Sequence, residues 1–280
     1  MVSKRFTNLL TYLGMIFAII FFLFPPFWMV ITSIKFGKDV FEFSAFPFLQ
    51  FTPSIKPWYT EVVIRWSETS RALFNSTVIG LGSASFALFI GSIAGYAITR
   101  FQFQRWKNID IITWFFSLRI LPPISLVIPY YALMRSLNLL DLQLSVILIH
   151  SVFFLPYAVL VTFSAFKAIP VEVEESALID GLSRFQAFRV ISLRLISPVL
   201  AAVFILILAF SWNEFLMAFI LTSKNSVPMT VHIAGTITTV GVHFWTLSVR
   251  QVLAFTPPFI LALLIQKYIV SGLTLGAIKG

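Results

Sequence analysis

The sequence predicts an all-α integral membrane protein with about six transmembrane helices. Two features of composition and one of patterning carry that prediction. Of the 280 residues, 59% are hydrophobic and 11% are charged, against about 25% charged in a soluble domain. Phe alone occurs 32 times, and lipid-facing and packed helix surfaces both accept such bulky apolar groups. The apolar residues gather into six runs of the roughly 20 residues that a bilayer core requires, at 9–34, 75–98, 109–134, 144–166, 195–222 and 249–270.

The first run is too long for a cleaved signal peptide. It lacks a small-residue cleavage site and continues through Phe27-Trp28-Met29-Val30, so it reads as a retained span. The loop after it, 36–74, is rich in Pro, Phe and Trp. Pro47, Pro53 and Pro57 argue against one continuous helix there, leaving short helices, a partner surface or an interfacial loop with aromatic side chains at headgroup level. The natural division is residues 1–74, a first helix with an extracytoplasmic loop, and residues 75–280, a core of transmembrane helices.

The second run carries Gly91-Ser92-Ile93-Ala94-Gly95, a small-xxx-small pattern that brings helix backbones close. Packing within one subunit is the favoured reading over a dimer seam. Pro25-Pro26, Pro122-Pro123, Pro129, Pro156 and Pro257-Pro258 lie inside spans. Each frees carbonyl groups that must find partners away from lipid.

Lys and Arg set the orientation. With the N-terminus inside, eleven bases fall in inner segments and eight in outer ones. Both termini are therefore expected in the cytoplasm. The net charge of +9 is accounted for by this bias and by anionic headgroups, without nucleic acid. Cys is absent, which excludes disulfides, thiol catalysis and Cys-based zinc sites. His150, His232 and His243 show no metal-ligand spacing, and no metal is expected. No catalytic constellation is visible, which disfavours an intramembrane enzyme. No Gly-rich phosphate loop with its Lys-Ser/Thr is present, so ATP and Mg would be bound by a partner and the chain itself holds no cofactor.

The segment 169–194 is the exception to the apolar pattern. Pro170 suits a helix start, and Glu172, Glu174 and Glu175 lie in the first turns, where carboxylates favour the positive end of the helix dipole. Gly181 offers a helix stop. Ser183 and Gln186 have the spacing of a capping box for a second helix. Arg184, Arg189 and Arg194 follow, giving an acidic first half and a basic second half.

These residues resemble the cytoplasmic docking loop of binding-protein-dependent ATP-binding-cassette importer permeases: Glu-Ala-Ala, three residues, Gly, nine residues, Ile, one residue, Leu-Pro. Here Glu175-Ser176-Ala177 precedes Gly181 at the right distance, followed by Ile191 and Leu193. Ser176 departs from the usual Ala, and Arg194 stands where the family has Pro. Asn75-Ser76, the segment 94–101, Leu121-Pro122-Pro123, Ile128-Pro129, Trp212-Asn213-Glu214-Phe215 and the tail 271–280 are also similar to the carbohydrate branch, close to the smaller permease of maltose-type systems.

The resemblance implies type I importer permease architecture in a cytoplasmic (inner) membrane. It implies pairing with a second permease, an ATPase dimer and an extracytoplasmic sugar-binding protein, and ATP-driven import of sugars. Glu174, Glu175, Ser176, Ala177, Leu178, Asp180, Gly181 and Arg184 would dock on the ATPase. Lys279 and Gly280 would touch it through the tail, and the loop 224–245 would reach the binding protein. The charges inside spans, Arg119 and Glu214, with Asn213, are candidates for the translocation path, since charges at membrane depth face protein or water rather than lipid. A self-contained channel or secondary carrier is the alternative, and it gives the acidic loop no role.

Overall fold

The computed structural model describes residues 4–238 and 241–274. Among these, thirteen helices follow one another: α1 (Lys4–Ser33), α2 (Lys56–Tyr59), α3 (Trp66–Arg100), α4 (Asn108–Leu118), α5 (Val127–Ser136), α6 (Gln143–Lys167), α7 (Val171–Ile179), α8 (Arg184–Ala187), α9 (Leu193–Leu195), α10 (Ser197–Asn213), α11 (Leu216–Leu221), α12 (Met229–Ala234) and α13 (Phe244–Thr274). The strands β1 (Ile237–Thr238) and β2 (Gly241–Val242) pair antiparallel. Four helices are long and apolar enough to cross a membrane, or up to six if each of two bent pairs is one span.

The bent pairs show where the expectation of straight spans fails. The predicted span 109–134 is instead α4 followed by a segment running to Ser136, with a bend of 94° between them. The cause is Pro122-Pro123. Neither residue donates a backbone N–H, and each pushes its predecessor out of the helical region. A 3-10 turn at Pro123–Leu126 then restarts the chain. The second bent pair joins Arg184–Leu195 to Ser197–Asn213 at 75°; apart from it, the predicted span 195–222 stops at Asn213, and Glu214 is extended (φ −70°, ψ 125°) before α11. By contrast, Pro25-Pro26, Pro156 and Pro257-Pro258 sit within continuous helices. The Pro-rich first loop holds only short pieces, a 3-10 turn at Gly37–Phe41, α2, and a π turn at Thr60–Ile64.

Contacts divide the chain into two compact units: the described residues up to 70 with 232–257, and 71–231 with the described residues from 258 onward. In the second unit α3, α6 and α10 pack around Ala84, Ala87, Phe154, Ala158, Val203, Ile207 and Leu208. The small residues of α3 meet α6 directly. A Cβ at Gly91 would overlap Ala158, and one at Gly95 would overlap Thr162. The Thr162 hydroxyl donates to Gly91 O at 2.9 Å, and Ser151 Oγ donates to Ser83 O at 3.3 Å. The small-xxx-small pattern therefore serves packing within the subunit, by the close backbone approach it allows.

In the first unit a buried ion pair stands out. Glu61 and Arg250 are 0% and 4% exposed. Arg250 Nε and Nη2 donate to the two Glu61 oxygens at 2.9 and 3.2 Å, and Arg250 Nη1 donates to His232 O at 2.6 Å. The Thr69 hydroxyl donates to Glu61 Oε2 at 3.0 Å. Burial alone would push the Glu61 carboxyl up, but nearby His232, the bonds from Arg250 and Thr69 and the Arg250 charge outweigh it and hold the group at about 2. A depressed carboxyl contributes stability that is complete above its ordinary value of 4.5 and is lost as the pH falls through the folded value. Thermal unfolding of the purified chain should therefore show a midpoint that drops progressively between about pH 4.5 and 2. Glu61→Gln should flatten part of that slope, and an unchanged slope in the variant would count against it.

Candidate functional site

The polar segment folds as a helix, a glycine turn and a helix. Pro170 precedes α7, and Glu172 and Glu174 lie in its first turn. The helix ends because Gly181 adopts φ +89°, a conformation that carries no Cβ penalty only for glycine. Leu182 N donates to Ala177 O at 3.1 Å and Gly181 N to Leu178 O at 3.1 Å, which satisfies the terminal carbonyl groups in the Schellman pattern. Ser183 then opens α8 with both bonds of the capping box, Gln186 N to Ser183 Oγ at 3.3 Å and Ser183 N to Gln186 Oε1 at 2.7 Å. A π turn, Phe188–Ser192, leads into α9, and the chain bends by 75° into α10.

The eight predicted docking residues do not share one face. Glu175, Ser176, Asp180, Gly181 and Arg184 are exposed and Leu178 is half-buried, whereas Glu174 and Ala177 are buried. Glu174 and Glu175 are neighbours in sequence, and a helical step of about 100° sends one inward and one outward. The Glu174 carboxylate accepts from Ser192 Oγ at 2.7 Å and from Tyr96 Oη at 2.9 Å. Arg100 Nη2 lies 3.0 Å from its other partner atom, Glu174 Oε1, and also donates to Ile169 O at 3.0 Å. Burial would raise the Glu174 carboxyl, but hydrogen bonds from Arg100, Ser192 and Tyr96, with the Arg100 charge, bring it below its ordinary value. Glu174 thus ties α7 to the end of α3 and to the π turn. Beneath it lie Phe166, Ile169, Phe188 and Ile196.

Two apolar side chains on the exposed face were not among the predicted docking residues. Ile179 is 86% exposed and Phe185 69%. Both flank the glycine turn and add apolar area to the charged face. Their signal in the sequence is weak, because single apolar residues in a polar segment are common.

The in-span candidates lie in two separate places. Arg119 caps α4 at its C-terminus, and its guanidinium stacks 4.0 Å from the centre of the Tyr157 ring. Beside it is a cavity of about 260 Å³. Asn213 ends α10 and bonds back to Ala209 O at 2.8 Å. Glu214 is half-buried and bonded to protein. Its carboxylate accepts from Met217 N at 3.0 and 3.1 Å, from Ala218 N at 3.2 Å, and pairs with His150 Nε2 at 3.0 Å. A carboxylate only accepts, so Nε2 donates to it, and His150 Nδ1 lies 2.7 Å from Ser211 Oγ. Lys279 and Gly280 lie outside the described residues.

Asp141 was not singled out in the sequence. At φ +57° its carboxylate accepts from Ser223 N, Lys224 N, Asn225 N and Ser226 N at 2.9–3.2 Å. Burial would raise this carboxyl, but the four backbone donors hold it far below the ordinary carboxylate range. Nothing local in the sequence could announce a partner more than eighty positions away.

Comparison with known proteins matches these features. The sequence profile of the family described as "Binding-protein-dependent transport system inner membrane component" covers residues 87–275. The chain is 30% identical over 280 residues to the trehalose/maltose transport system permease protein MalG of Thermococcus litoralis, covering 98% of this chain and 97% of that protein. It is 32% identical over 226 residues to the trehalose transport system permease protein SugB of Mycobacterium tuberculosis, covering 78% and 80%. Its fold superposes with a TM-score of 0.74, at 19% identity, on a chain from a bacterial ABC transporter involved in the import of the acidic polysaccharide alginate, covering 96% of this chain and 99% of that one. With the helix–glycine–helix segment inside the matched region and relatives aligned along most of its length, the chain belongs to the family of inner membrane components of binding-protein-dependent transport systems.

Proposed function

We propose that this chain is the permease subunit of an ATP-driven sugar importer, forming half of the translocation path. The observation that carries the reading is the exposed face of α7, the Gly181 turn and α8. Glu175, Ser176, Asp180 and Arg184 surround the bare Ile179 and Phe185, a mixed charged and apolar surface suited to a protein partner. The face is anchored from behind by Glu174, so it moves with the end of α3. In this reading an ATPase dimer carrying ATP and Mg docks on that face, with the tail residues Lys279 and Gly280 adding contact. A second permease completes the path, and an extracytoplasmic binding protein delivers the sugar. Both termini lie in the cytoplasm. Arg119, Asn213 and Glu214 are proposed for the path, with Glu214 acting through the shape of the α10–α11 break. The sugar assignment is supported by the relatives named for trehalose and maltose transport.

The test is affinity purification of the tagged chain from its own membrane, with Gly181→Arg alongside. A side chain at Gly181 meets nothing within 4 Å in this subunit. Its own cost is the left-handed backbone, about 1–2 kcal/mol, and its bulk falls on a docked partner. A nucleotide-binding ATPase and a second permease should co-purify with the wild type, and recovery of the ATPase should fall at least ~10-fold in the variant, a ~1.4 kcal/mol loss of docking. Recovery of the chain alone, with transport intact in Gly181→Arg, would favour a self-contained carrier.

A further inference from the structure

The cavity at the α4–α5 break is lined by apolar side chains, among them Leu118, Leu126 and Phe153, apart from Arg119, Tyr130 and Tyr157. Its volume of about 260 Å³ lies near the lower end of small-molecule sites, about 300–1,000 Å³. The lengths of the helices bear on its depth. Arg119 follows the last residue of α4, which begins at Asn108. At about 1.5 Å per residue that places it ~16 Å along, roughly half of the ~30 Å hydrocarbon thickness. Tyr157 lies near the middle of the 25-residue α6, so the facing helix reports the same depth independently.

The guanidinium at this depth has an unusual set of neighbours. Its central carbon lies over the Tyr157 ring, and the residue is otherwise exposed, so N–H donors of its guanidinium remain available to a ligand. Among the described residues, the ion pairs involve Arg65, Arg100, Arg250 and two histidines, and none involves Arg119. No carboxylate lines the cavity. A full positive charge at mid-depth costs about 3 kcal/mol on insertion scales. An amide side chain would offer hydrogen bonds to sugar hydroxyl groups without that charge. What the charge adds is attraction for an anion. A guanidinium with free donors can also grip a carboxylate or a phosphate with two parallel bonds.

We propose that the ligand passing this cavity is an anionic sugar, with Arg119 as the specificity-determining residue that meets its acidic group and the Tyr130 and Tyr157 rings flanking the sugar. This rests on the importer reading above and names its substrate class.

The experiment measures direct binding to the protein purified from its membrane with whatever partners accompany it, in lipid nanodiscs and without nucleotide. The probes are a neutral disaccharide, maltose, and a disaccharide of the same size with glucuronic acid as one unit. Wild type should bind the acid at least ~10-fold more tightly, the ratio given by one pairing of ~1.4 kcal/mol. Arg119→Gln should bring the ratio close to one, and Arg119→Lys should keep part of the preference, since it retains the charge and loses the fork. Equal binding of both probes by wild type, no binding of the acid at millimolar concentration, or an unchanged ratio in Arg119→Gln would each overturn the proposal. If Arg119→Gln fails to assemble, as judged by its elution profile, the wild-type ratio and Arg119→Lys still decide. Because binding is read without ATP, loss of the ATPase partner in the purification would sink the importer reading while leaving the preference measurable.

Discussion

Valine at Gly91 or Gly95 is expected to remove most of the folded chain from the membrane, whereas valine at Gly14 is expected to change nothing measurable. A Cβ at Gly91 falls on the Ala158 Cβ and within 3.0 Å of the Ala158 backbone carbon. One at Gly95 falls on Thr162 Oγ1 and within 2.8 Å of Phe163 N. In both cases part of the obstacle is the backbone of α6, which cannot step aside. The helices must separate instead. Doing so breaks the bond from Thr162 to Gly91 O and opens the packing of Ala84, Ala87 and Ala158, each 0% exposed. Overpacking of a tight core costs about 1–3 kcal/mol where side chains can shift. With backbone on both sides the loss should reach the upper end of that range or exceed it. At Gly14 nothing lies within 4 Å of the added carbon, so the change should stay within about 0.5 kcal/mol. Membrane yield and thermal midpoint in mild detergent are the readouts. Equal values for Gly91→Val and Gly14→Val would mean that α3 and α6 do not touch as described.

Glu174→Ala should uncouple the ATPase from transport and destabilise the chain, and neighbouring Glu175→Ala should do neither in the same way. Removing the Glu174 carboxylate leaves Arg100 buried without its counter-charge. Its side chain is 8% exposed, and its Nε has no partner among the described residues to begin with. Breaking one side of a buried pair costs about 3–5 kcal/mol. Tyr96 and Ser192 lose their acceptor in the same step. The docking face would then lose its buried charge pairing with α3, keeping the bond from Arg100 to Ile169 O and the contact of Arg184 with the Phe101 ring. ATP hydrolysis by the assembled complex should persist while uptake falls at least ~10-fold, a loss of ~1.4 kcal/mol in coupling. Glu175 is exposed, so Glu175→Ala should weaken ATPase docking at an unchanged thermal midpoint. Glu174→Gln keeps the shape and some hydrogen bonds and should fall between. If Glu174→Ala matched wild type in both midpoint and uptake, the strut between α7 and α3 would have no function.

The parts of this fold that were legible in the sequence are those set by neighbours along the chain. Apolar runs announced the spans, Gly181 announced its turn, and Ser183 with Gln186 announced a cap that the structure contains in full. That Gly91 and Gly95 pack within the subunit was legible because small residues at helical spacing bring backbones close; that α6 is their partner came only from the fold. What was not legible depends on distant partners. Glu174 and Glu175 read alike until Arg100, seventy-odd positions upstream, shows which one is inside. Arg250 counted as a loop charge in the topology reading, but it is buried against Glu61 across 189 positions. The 94° break was underestimated because hydropathy averages over Pro122-Pro123 and sees one continuous apolar stretch. Glu214 was singled out because charges are rare at membrane depth, and the α11 N–H groups and His150 that surround it could be identified only from the fold.

The four backbone N–H groups gathered by Asp141 also set how the turn from 223 to 226 responds to its surroundings. A loop held by histidine would change shape over the range of acidity that living membranes encounter. Here the carboxyl gives up its proton far below that range, so the latch stays shut in mildly acidic and neutral media alike. Any molecule landing on this turn meets the same contour on either side of an acid gradient, and its grip can vary with acidity only through its own titrating groups.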